Sequence, residues 1–194
     1  MAIELESMAL EMPRVAGHPN RIGFRGVLTL VDEASDKAPA GARGHRVLLT
    51  RAAAEAALPS LLGMGVGYTP SLDRHDTRRK VGVITRAEIA GKYLELGGYL
   101  FGKDFPELVR EMEKIGGRCG KSVAGASLSR DFASQARERI CAGQALGMSY
   151  EIANARIADM KARIWTLTHV TFTGAAILRR EKAAYTKTWV ELER

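Results

Sequence analysis

Residues 80–101 read KVGVITRAEIAGKYLELGGYLF, and their pattern decides the fold class. Tyr93, Glu95, Gly97 and Tyr99 alternate with Leu94, Leu96, Gly98 and Leu100, a period of two that belongs to extended chain rather than helix. Lys80 to Arg86 is a second extended run, and the turn between the two falls near Ala90-Gly91. The stretch therefore predicts an antiparallel pair of strands.

Outward from this pair, more short strands are expected. Arg21 to Val31 alternates, with Ile22, Phe24, Leu28 and Leu30 on one face. His45 to Leu49, Ala145 to Ile157, Arg163 to Phe172 and Lys187 to Leu192 complete the set. Thr50 is placed to cap an alanine-rich helix running to about Leu62, with Pro59 disturbing its last turn. The strongest helix signal is Asp104 to Ile115. Asp104 caps it, Glu107 follows three residues on, and Phe105, Leu108, Val109, Met112 and Ile115 form one stripe that ends at Gly116-Gly117. Arg130 to Ala142 is a thinner helical pattern. Asp32 to Gly44, Gly63 to Asp76 and Arg118 to Ser129 read as loops. The expectation is an α+β chain, with a compact, mostly antiparallel β-barrel of about six to seven strands flanked by helices. Residues 1–20 are expected to be an irregular arm and 21–194 one domain.

Composition bounds the function. The chain has 194 residues, 46% of them hydrophobic, which suffices for one sizeable core. No apolar run approaches the roughly 18 residues a membrane helix needs, and the acidic N-terminus does not read as a secretory signal. Cys119 and Cys141 do not make a disulfide framework for a chain of this size, so a reduced, cytosolic setting is expected. A net charge of +7 favours acidic partners, and nucleic acid is compatible with it. Yet Arg78-Arg79-Lys80 is the only basic run of three, and a generally solvated basic surface is the preferred reading of the charge.

Four histidines are the natural candidates for chemistry. His18 in a turn and His45 at a strand start read as structural. No metal-ligand spacing is present, so neither a metal nor another cofactor is expected. His75 stands at a loop-to-strand junction, where a ring can be held while staying open to a substrate. Ser149, in Leu146-Gly147-Met148-Ser149, points away from the face shared by Met148, Tyr150 and Ile152, and needs a base to become nucleophilic. His169 shares a strand face with Trp165, Leu167 and Thr171, and reads first as a buried core histidine. Residue type alone favours an ordinary surface histidine and an ordinary strand serine over a catalytic pair. The segment Gly116-Gly117-Arg118-Cys119-Gly120-Lys121-Ser122 imitates a phosphate loop, but its spacing from Gly116 is one residue short and it follows a helix. Ser122 remains a second-choice nucleophile, and Cys141 a remote one.

Taken in order, these pieces resemble the prohead (capsid maturation) proteases of tailed phages, which are themselves similar to the herpesvirus assemblins. The resemblance spans roughly Arg21 to Leu192. It is carried by the strand ending in acids at Val27 to Glu33, by His75-Asp76 before the strand Lys80 to Ile84, by Leu146-Gly147-Met148-Ser149, and by the closing strand Leu167-Thr168-His169-Val170-Thr171-Phe172-Thr173. It implies an assemblin-like barrel and a serine endopeptidase with Ser149 as nucleophile, His75 as base and His169 orienting His75. The implied partners are the major capsid protein, the scaffold protein and further copies of the chain, inside an immature capsid in the host cytoplasm. Two departures stand out: Glu151 occupies a position where phage members often carry glycine, and His169 one where they often carry an acid. A carboxylate near a developing oxyanion works against catalysis unless it points away. An assembly module with the same fold and no chemistry is the alternative, and a basic nucleic-acid-binding protein is a further one.

Overall fold

The computed structural model describes residues 2–4, 20–119 and 146–193. Its elements in chain order are β1 (Ala2–Glu4), β2 (Arg21–Leu30), β3 (Arg46–Leu49), α1 (Arg51–Ala57), β4 (Gly65–Tyr68), β5 (Lys80–Ala90), β6 (Tyr93–Phe101), α2 (Pro106–Cys119), β7 (Leu146–Ile157), β8 (Ile164–Arg179) and β9 (Trp189–Leu192). The strands form one mixed sheet in the order β3-β8-β4-β5-β6-β2-β9, with β1 added to β5 and β7 added to β8. The fold is α+β, built on a curled, barrel-like sheet. After β2 the chain turns across to β3, where Asp32 N donates to Leu49 O (2.8 Å) and Ser35 N to Val47 O (2.7 Å). These bonds bring the far end of the path back towards its beginning.

The β5–β6 hairpin forms as its pattern requires, and Gly91 takes the left-handed conformation (φ 58°) that a tight turn needs. Thr50 caps α1, its hydroxyl accepting from Ala53 N at 3.2 Å, and Pro59 converts the next turn into a 3-10 helix, Leu58–Leu61. Phe24, Leu28, Leu49, Leu61, Ile84, Leu94, Met148 and Phe172 are buried in the common core.

Several boundaries depart from the sequence reading. Gly65–Tyr68, expected in a loop, is β4, which pairs in parallel with β8. A strand covered on both faces need not alternate, so its pattern carries no period of two. β8 does not stop at Phe172 but continues to Arg179, because Gly174, Ala175 and Ala176 are small enough to sit under neighbouring strands. Helix α2 runs through Gly116 and Gly117 to Cys119 rather than ending at them. Leu30 does not share the face of Phe24: the register shifts between Val27 and Thr29, and Leu30 joins a separate cluster with Val27, Tyr93 and Tyr185. The arm is not wholly irregular, since Ala2–Glu4 pairs with β5. The helix expected at Arg130 to Ala142, with Ser122, Cys141 and His18, lies outside the described residues.

Candidate functional site

The site grows from two strands and one loop. On β7, Ser149 and Glu151 are two residues apart with no register shift between them, so they share one face of the sheet. Their cross-strand partners on β8 are Ala176 and Gly174. The next strand, β4, places Gly67 beside Ala176, and β5 places Lys80 beside Gly67. The loop from Thr69 to Arg79 then delivers His75 over this face.

That loop is pinned at several points. Leu72 N donates to Thr69 O (2.9 Å), the Thr69 hydroxyl to Arg74 O (3.3 Å), Arg78 N to the Asp76 carboxylate (2.9 Å) and Arg179 N to Leu72 O (2.8 Å). Leu72 is held buried in the left-handed region (φ 54°), an unfavourable conformation that the surrounding bonds impose. His75 is consequently fixed although its side chain is 28% exposed.

The decisive contact joins His75 to Glu151. His75 Nδ1 lies 3.2 Å from Glu151 Oε1, and Lys80 Nζ lies 3.3 Å from Glu151 Oε2. Glu151 is only 13% exposed, so its charge is held between two nitrogen partners. Since an ionised carboxylate can only accept, the neutral imidazole carries its proton on Nδ1 and leaves Nε2 free to take one. Beneath this trio the sheet carries glycine where a side chain would collide. A Cβ at Gly174 would fall 2.8 Å from Glu151 Oε2 and 3.1 Å from Gly65 O, and one at Gly65 would fall 2.7 Å from Lys80 Cδ. Glycine at both positions is what lets Glu151 and Lys80 lie across the strands.

The expected constellation is therefore reassembled. Ser149 and the Glu151–His75 pair occupy one region, although the Ser149 hydroxyl makes no hydrogen bond to His75 among the described residues. His169 is elsewhere. It pairs with Arg156, five positions along β8 from Gly174, or about 16 Å at the usual strand rise. It is exposed rather than buried, because the register slips between Arg156 and Ile157 and turns it off the face of Leu167. The role of orienting His75 is thus geometrically open to Glu151 and not to His169. Sequence reasoning weighed Glu151 as a liability and missed it as a partner. The signal available was its i, i+2 relation to Ser149 on a strand.

The remaining candidates resolve simply. His45 stacks on Trp165 with ring centroids 4.4 Å apart, a structural role. Arg78, Arg79 and Lys80 do not form one basic patch: Arg79 pairs with Glu107 (2.9 Å) and packs over Tyr68 and Phe105, whereas Lys80 goes to Glu151. Gly116 to Cys119 are inside α2, which is not the strand-to-helix turn a phosphate loop requires. No group of three potential metal ligands occurs among the described residues, and no helix there is long and apolar enough to cross a membrane. No protein-family model matches the chain, and no curated protein matches it.

Proposed function

We propose that the protein is a serine endopeptidase of the capsid-maturation type, with Ser149 as nucleophile, His75 as general base and Glu151 in place of His169 as the group that orients the base. The single observation carrying this reading is the 3.2 Å contact between His75 Nδ1 and Glu151 Oε1, on the strand face that also presents Ser149. It supplies the base, its tautomer and a neighbouring hydroxyl together. His75 Nε2 takes the Ser149 proton as Oγ bonds to the peptide carbonyl carbon. The imidazolium, stabilised by Glu151, then returns that proton to the leaving nitrogen as the C–N bond breaks. Water repeats the sequence to release the acyl group. The substrate class follows from the resemblance: a scaffold protein or the scaffold segment of a major capsid protein, and the chain itself.

Co-expression with a candidate major capsid protein and scaffold protein, followed by intact mass measurement, tests the proposal. The wild type trims a partner, and Ser149→Ala, His75→Ala and Glu151→Gln each stop the trimming. Cleavage that survives Ser149→Ala sinks the assignment. A second reading, a shell-assembly module without chemistry, draws on the absence of a Ser149–His75 hydrogen bond. It requires that no partner be trimmed by the wild type while the chain still co-assembles with it.

A further inference from the structure

A polar cavity, of about 250 Å³, opens between β2, β5, β6 and the end of β9. Its walls include Arg25, Arg86, Glu88, Glu95, Trp189 and Glu193. It lies apart from the His75 site, since Glu88 is eight residues along β5 from Lys80, about 26 Å at the usual rise. Both arginines are matched within the protein. Arg25 reaches Glu191 at 2.6 Å, and Arg86 reaches Glu193 at 3.0 Å. What remains is Glu88 and Glu95, directly opposite each other in the β5–β6 register.

This pair is not explained by the fold. Facing like charges destabilise a sheet, and burying a carboxylate without a partner costs several kcal/mol. Glu95 is nevertheless only 8% exposed, lines the cavity, and makes no hydrogen bond or ion pair among the described residues. Burial, with Glu88 as the next cause, pushes the Glu95 carboxyl up to about 7. Among the described residues the cations that pull on Glu95 are Arg25 and Arg86, and each is already bonded to another glutamate.

We propose that this cavity receives an organic monocation, an alkylammonium or guanidinium group, bound between Glu88 and Glu95 with Trp189 as an aromatic wall. The cavity is large enough for such a head group with a short stem and smaller than most cofactor pockets. Trp189 adds the aromatic surface that organic cations favour. Two carboxylates fall short of the oxygen shell a calcium ion takes. The same chemistry is presented by a free amine and by a lysine side chain of a partner protein.

The test is a titration of the isotope-labelled full chain at constant ionic strength, read from the Trp189 indole and Leu96 amide resonances. The probes are n-butylammonium, N-ethylguanidinium, a blocked Gly-Lys-Gly peptide and sodium. Saturable shifts with the organic cations but not with sodium are expected, weakened about tenfold or more in the Glu88→Gln/Glu95→Gln double variant. That variant removes a repulsion and should fold. Tighter binding of the peptide points to a protein partner, and tighter binding of the free amines to a small molecule. Shifts that sodium reproduces, shifts that the double variant retains, or no saturable shift with any organic cation overturn the proposal.

Discussion

Replacing Glu95 by glutamine should stabilise the protein, and only at neutral to alkaline pH. The Glu95 carboxyl is raised from 4.5 to about 7 by burial first and by Glu88 second, against the opposing pull of Arg25 and Arg86. In the unfolded chain the same group ionises near its ordinary value. Between these two values the folded protein therefore holds a proton that the unfolded chain has lost, and stability falls as pH rises through the window. At about 1.4 kcal/mol per pKa unit, the cost of ionising Glu95 in the fold reaches about 3 kcal/mol above pH 7. That figure is a ceiling, because the carboxyl opens onto the cavity and not into solid core. Glutamine keeps the shape and never ionises. Urea unfolding of wild type and Glu95→Gln, followed by tryptophan fluorescence, should give superimposable curves near pH 4.5. By pH 8, after allowing for solvent screening through the cavity mouth, the variant should be more stable by about 1 to 2 kcal/mol, with unchanged m-value. A gap of constant size across pH, or a variant less stable at pH 8, would refute the reasoning.

Other substitutions separate the roles assigned at the His75 site. Glu151→Gln should lower kcat by about 10³- to 10⁴-fold with little change in KM, since the amide no longer fixes the Nδ1–H tautomer; His169→Ala should stay within about twofold of wild type in the same peptide-cleavage assay. Lys80→Met should leave the fold intact and reduce kcat about tenfold. The loss arises because Glu151 Oε2 loses its partner and the carboxylate is less firmly held towards His75. Gly174→Ala should break the His75–Glu151 contact, visible as a changed His75 ring resonance, because its Cβ would stand 2.8 Å from Glu151 Oε2. Phe172→Ala, at a fully buried position in the common core, should cost about 3 to 5 kcal/mol in chemical denaturation.

The parts of this fold that sequence made legible are those with a one-sided environment. The β5–β6 hairpin and the capped helix α1 announce themselves through alternation and through Thr50. β4 and the second half of β8 were hidden for the opposite reason. Gly65 and Gly67 in β4, and Gly174, Ala175 and Ala176 in β8, are selected for closeness, not amphipathicity. Their small residues imitate a loop. The same blindness affected the site. His75 and Ser149 could be nominated by residue type and chain order, but Glu151 gains its meaning only when β4 and β8 lie flat enough for it to cross them. His169 was misplaced by a single register slip, which no local pattern reveals.

Why Glu151 rather than a histidine should serve here follows from the charges already present. In the proposed mechanism His75 becomes a cation as it accepts the Ser149 proton, and Lys80 is a cation from the start, 3.3 Å from the same carboxylate. A second imidazole in place of Glu151 would leave the developing imidazolium beside an unmatched ammonium. With Glu151 between them, the transient state carries one anion and two cations, and the resting state one of each. Lys80 thus has opposing effects. It holds the carboxylate in place, yet shares that carboxylate's charge with His75. Removing Lys80 should therefore lower kcat while leaving the urea midpoint unchanged. A purely structural lysine would lower the midpoint along with the activity.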